Sequence, residues 1–194
     1  MSRHKSDEKL LNQFIDSFGR CDDLLAPDDA PQEMLVKQSA EDWDSRSELS
    51  RWHPLRMETE ASALEPLYQK LPGPLPQLYE QLVLHWRWLE VDLGSLVLRA
   101  NPPGPDLQGL EANLIRDPVL TATLLPAGYV PFGRSAIRYD PLCFDLNAMN
   151  DAQDCPIVQF EHEAILCHSK IGDHEQRWPS FRDLTTEVVA RADV

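Results

Sequence analysis

Midway along the chain the apolar residues change period, and that switch limits what the sequence can fold into. Leu75, Leu78, Tyr79, Leu82, Val83 and Trp86 stand at i, i+3, i+4, i+7, i+8 and i+11, the spacing of one helical face. From Tyr129 onward that spacing gives way to short apolar runs at period two, parted by turn-rich pieces such as NAMNDAQD and IGDHE. Strands are expected at 93–98, 129–133, 136–139, 143–146, 156–161 and 164–169. Connections this short favour antiparallel neighbours over crossover helices. Helices first, a meandering sheet next and a closing helix after Ser180 make an α+β domain.

Further helices follow from local signals. Leu10, Leu11, Phe14, Ile15 and Phe18 recur at helical spacing, with Gly19 as a stop. Ser62 and Glu65 have capping-box spacing. LPGPLP at 71–76 breaks the chain before the next helix, because proline removes a donor and biases its predecessor away from helix. Asp117-Pro118 reads as an N-cap with proline at the first helical position. The 194 residues suffice for one ordinary domain and an extension. The chain therefore divides into an N-terminal helical and acidic extension, 1–60, packed on a main domain, 61–194.

Acidic residues outnumber basic ones 32 to 18, a net charge of −14. That balance argues against nucleic acid and against anionic membranes, both of which reward Lys and Arg. It suits a protein partner with a basic face. No segment approaches the ~18 apolar residues of a spanning helix, and the first twenty residues lack the apolar core of a secretory signal. A cytoplasmic location with reduced thiols is expected.

Cys143, Cys155, His162, Cys167 and His168 are residue types that zinc favours, but no Cys-x-x-Cys or His-x-x-x-His pair seeds a site. The four cysteines, Cys21 included, are better read as structural. Glu161-His162-Glu163 could serve acid–base chemistry, yet it falls where two strands meet and reads as a polar hairpin turn. HEAIL at 162–166 fails as a zincin motif because Leu166 stands where the second histidine belongs. Neither a G-x-S-x-G elbow nor a phosphate-binding glycine loop occurs. No metal or cofactor is expected. Among the tryptophans, Trp86 reads as core and Trp88 as pointing away from it, Trp43 and Trp52 as docking the extension. Trp178, in an expected loop, is either an interface anchor or a cover for the junction with the extension.

In the order LPGPLPQLYEQLVLHW, YVPFGRS, RYDPLCFDLN, CPIVQFEHE, ILCHSKIG and PSFRDLTTEVV, the chain resembles the SUKH superfamily, the Knr/Smi-like domains, over about 71–190. The resemblance implies a curved, largely antiparallel sheet flanked by helices. It implies a non-catalytic binding module, most simply an immunity-type protein that neutralises a basic toxin domain by direct contact. It also gives Gly133, Tyr139, Asp140, Phe144, Asp145, Pro156, His162, Glu163, Ser180 and Phe181 roles in the fold: Phe144 and Phe181 in the core, Ser180 as a helix cap, Asp140 and Asp145 at turns. Partner contacts are expected from acids on the sheet side, Glu161, Glu163, Asp151 and Asp154, and from Trp178. The alternatives are a signalling scaffold and a metal-dependent hydrolase built around His162, Glu163 and nearby cysteines.

Overall fold

A computed structural model describes residues 3–21, 24–36 and 51–192. Trp43, and the side chain of Cys21, lie outside the described residues. The architecture is α+β: an antiparallel six-stranded meander, a separate two-stranded ribbon, and helices on both faces of the meander.

Helix α1 (Arg3–Cys21) runs through Gly19 and buries Leu11, Phe14, Ile15 and Phe18. Short 3-10 turns at Gln32–Met34 and Ala61–Leu64 lead to a single α-turn, α2 (Glu65–Tyr68). The expected capping box thus becomes a 3-10 turn without a side-chain cap, because Pro66 occupies the start of α2. Helix α3 (Gln77–His85) buries Leu78, Tyr79, Leu82 and Val83 and stops before Trp86. Trp86-Arg87 is extended instead, forming β2 (Trp86–Arg87) against β1 (Leu55–Arg56). That early exit inverts the expected roles of two tryptophans. Trp88 is fully buried and its indole N–H donates to the Arg99 carbonyl at 2.9 Å, whereas Trp86 is partly exposed under the Arg56 guanidinium. The carbonyls left open at the end of α3 are not left unpaired. Buried Asn101 donates to Val83 and Trp86 carbonyls at 3.1 and 2.8 Å, and buried Arg87 donates to the same two at 2.5 and 2.9 Å.

The meander runs β3 (Val91–Asp92), β4 (Leu96–Leu98), β5 (Tyr129–Ser135), β6 (Pro141–Asp145), β7 (Ile157–Phe160) and β8 (His174–Trp178), each antiparallel to the next. Register shifts at Pro131/Gly133 and Ile157/Val158 are bulges of the kind that bend a strand. The single strand expected at 93–98 is a hairpin, because Gly94 takes φ +78 and donates its N–H to Asp92. Residues 136–139 form the β5–β6 turn and not a strand. The Ser135 hydroxyl accepts from the Ile137 and Arg138 amides there, and Tyr139 takes φ +62.

Two helices sit between β4 and β5: α4 (Gln108–Leu114) and α5 (Pro118–Leu124). Asp117 caps α5 as its sequence suggests, accepting from Val119 and Leu120 amides at 3.0 Å. The strand expected at 164–169 is instead helix α6 (His162–His168), of which only Ile165 is fully buried. The chain closes with α7 (Phe181–Ala192), whose first turn is held by the Ser180 hydroxyl accepting from the Asp183 amide.

Successive side chains of β6 divide the core. Leu142 and Phe144 face a cluster shared with α1, α3 and α7, where Phe14, Phe18, Tyr79, Phe132, Phe144 and Phe181 meet mostly edge to face. Cys143 faces the other way, into a smaller cluster with Val158, Phe160, Leu120, Leu124 and Ile165 under α5 and α6. The larger cluster takes in Leu11 to Trp52 as well as Ala63 to Val188, so residues of the extension and of the main domain share one core. Asp7 of α1, itself buried, meets Arg182 of α7 at 2.8 Å.

Candidate functional site

On the face covered by α5 and α6, the β5–β6 turn and the segments flanking β3 and β4 enclose a cleft of about 360 Å³. Its polar walls are Glu90, Arg99, Arg116, Asp117, Arg134 and His162; Tyr139, Leu120, Pro141 and Leu166 complete it.

Each cationic wall is placed by a different element. Arg99 follows β4 directly and is only 5% exposed. Its Nη1 donates to the Asn113 and Leu114 carbonyls, both at 2.8 Å, which are among the carbonyls α4 leaves open at its end. Its Nε is buried without an acceptor. Burial, then the neighbouring Arg116, lower the Arg99 pKa from its ordinary value. Arg116 enters from the α4–α5 connection and Arg134 from β5. Glu90 lies between them, 3.1 Å from Arg116 and 3.2 Å from Arg134. The Arg134 guanidinium also stacks on Tyr139, 4.6 Å from the ring centre.

The opposite wall rests on Asp140, also 5% exposed. Its carboxylate accepts from His162 Nδ1 at 2.8 Å, the His162 amide at 3.1 Å and Gln159 Nε2 at 2.8 Å. Burial alone raises a carboxyl pKa, but the bonds from His162 and Gln159 outweigh it and hold Asp140 below its ordinary value. An ionised carboxylate only accepts, so His162 must carry a proton on Nδ1. In the neutral ring Nε2 is then the free acceptor.

The residues singled out in sequence are scattered. Glu161 precedes α6 as its N-cap residue and Glu163 lies in its first turn, both exposed; they are not partners of His162 in a hairpin turn. Asp151 is exposed in the β6–β7 connection. Two expected contact residues require correction. Asp154 is 9% exposed and turned inward, where it accepts from the Cys155, Phe181 and Arg182 amides and so fixes the start of α7. Trp178 is 5% exposed at the end of β8, with its indole N–H on Glu187 of α7 at 2.9 Å. Asp140, expected to serve turn backbone, instead grips His162.

The candidate zinc ligands do not converge. Cys143 and Cys155 are buried thiols whose pKa burial pushes up, and Cys167 is exposed on α6. Among the described residues no three His, Cys, Asp or Glu side chains are placed to share a metal ion. Sequence reasoning missed Glu90, Arg99, Arg116 and Arg134. One signal was available: Arg99 ends the apolar run LGSLVLRA, and a charge at the end of a buried run needs partners.

A scan against models of known protein families finds no match, and a search of curated proteins finds no relative of the chain. Among the described residues no helix is long and apolar enough to cross a membrane.

Proposed function

We propose that the chain is a protein-binding module that neutralises a basic partner by direct contact, in the manner of the immunity-type SUKH domains its motifs resemble, and that it works in the cytoplasm. The observation that carries this reading is where the acidic excess lies. Among the described residues the buried acids are Asp7, Asp140 and Asp154, and the other acids there are exposed or partly exposed. A surface of that sign speeds encounter with a basic partner and orients it. Glu161, Glu163 and Asp151 remain the candidate contacts; Asp154 and Trp178 leave that set because both are buried.

The test is co-expression with the product of the neighbouring reading frame, followed by association kinetics on the purified pair. Rescue of growth, and an association rate that falls as ionic strength rises, support the reading. A neighbour that is harmless, or an association rate indifferent to salt, counts against it. One observation favours a second reading, hydrolytic chemistry in the cleft: Asp140 orients His162 beside three arginines, as a carboxylate orients an acid–base histidine.

A further inference from the structure

We propose that the cleft is a binding site for a small oxyanion, a carboxylate or phosphate group seated among the guanidinium groups of Arg99, Arg116 and Arg134. It requires neither reading above. Burying a guanidinium without a counter-charge is costly, and Arg99 is buried with hydrogen bonds from Nη1 alone, both to backbone carbonyls. A shortage of acids is not the reason, since the chain carries 32.

Glu90 illustrates what the cleft recognises. Its two oxygens engage Arg116 and Arg134 separately, so the chain already lodges one carboxylate between two of the three cations. The other acid of the wall, Asp117, turns Oδ1 to the amides of Val119 and Leu120 and forms no ion pair with a guanidinium among the described residues. Asp140, behind His162, is committed to His162 and Gln159. Among the described residues Arg99 therefore forms no direct ion pair, and Glu90 and Asp117 act on it only from a distance. The Arg134 guanidinium lies over the Tyr139 ring, and its planar fork of donors suits a planar or tetrahedral anion. At about 360 Å³ the cleft admits a small ligand and not a bulky one.

The proposal is tested by titrating the full chain with inorganic phosphate in one arm and succinate in the other, following arginine Nε–H resonances by NMR. A saturable shift in either arm is expected, and the arm that saturates names the anion. Arg116→Gln removes a half-exposed cation with little risk to the core and should weaken binding about tenfold. Glu90→Gln removes the internal competitor and should tighten binding by a similar factor. Opposite responses to these two substitutions are not expected of a merely structural cluster. Absence of saturation in both arms, in wild type and in Glu90→Gln, overturns the proposal. So does a saturable shift that neither substitution alters.

Discussion

Replacing Asp140 by alanine removes one carboxylate and leaves three donors without their acceptor: the His162 ring, the His162 amide and the Gln159 amide group. Hydrogen bonds to charged groups are each worth about 1.5–3 kcal/mol. Two effects pull the total below a simple sum. His162 and Gln159 are partly exposed and can turn to water, and the burial cost of the carboxylate disappears with it. A net loss of about 2–3 kcal/mol follows, and Asp140→Asn, which keeps one acceptor oxygen, should lose about 1 kcal/mol. The acid limb of the stability profile carries a second signature. The folded-state pKa of Asp140 is depressed, so its contribution is present in full above the unfolded value of about 3.9 and fades as pH falls through the folded value. Both variants should flatten that limb. Urea denaturation at a series of pH values measures both quantities, and nitrogen shifts of His162 should report the proton on Nδ1 in the wild type. A loss under about 0.5 kcal/mol with an unchanged acid limb would refute the reasoning.

Substitutions at three further positions probe the scaffold by denaturant unfolding. Phe14→Ala should cost about 3–5 kcal/mol, because Phe14 is fully buried against Phe18 and Phe181; a cost below 1 kcal/mol would detach α1 from the core. Gly133→Ala places a Cβ 2.9 Å from the Val97 carbonyl oxygen, on backbone of the paired strand, and should cost about 1–3 kcal/mol while slowing hydrogen exchange nowhere and speeding it in β4. Asp154→Ala should cost about 1–2 kcal/mol by uncapping α7, and Asp154→Asn much less; the same two changes should leave the association rate with a basic partner unaltered, since the carboxylate faces inward.

What could be read from sequence, and what could not, divides along physical lines. The start of α5 is legible because Asp117-Pro118 is a local signal, sufficient without tertiary help. Strands β5, β6 and β7 are legible because buried runs bounded by turn residues have few other uses. Strand β8 is not, because His174 to Arg177 are exposed at the sheet edge and carry no apolar alternation. Helix α6 reads as a strand in sequence because in seven residues one buried side chain, Ile165, defines neither period. Trp86 and Trp88 exchange roles because pairing with β1 ends α3 at His85, one residue before Trp86, the last position of its apolar periodicity. The cleft is assembled from residues between Glu90 and Leu166. Its long-range contacts link Glu90 to Arg134 and Asp140 to His162, and no local spacing encodes such pairs.

Whether the molecule acts by contact alone is decided by a titration against a partner of known activity. A fixed amount of that partner is mixed with increasing amounts of the chain, and the remaining activity is read after short and long incubation. Neutralisation by binding gives an end point at a fixed whole-number ratio, independent of time, with the partner's mass unchanged. Activity that continues to disappear with time at a small fraction of one equivalent, with a change in the partner's mass, would contradict it.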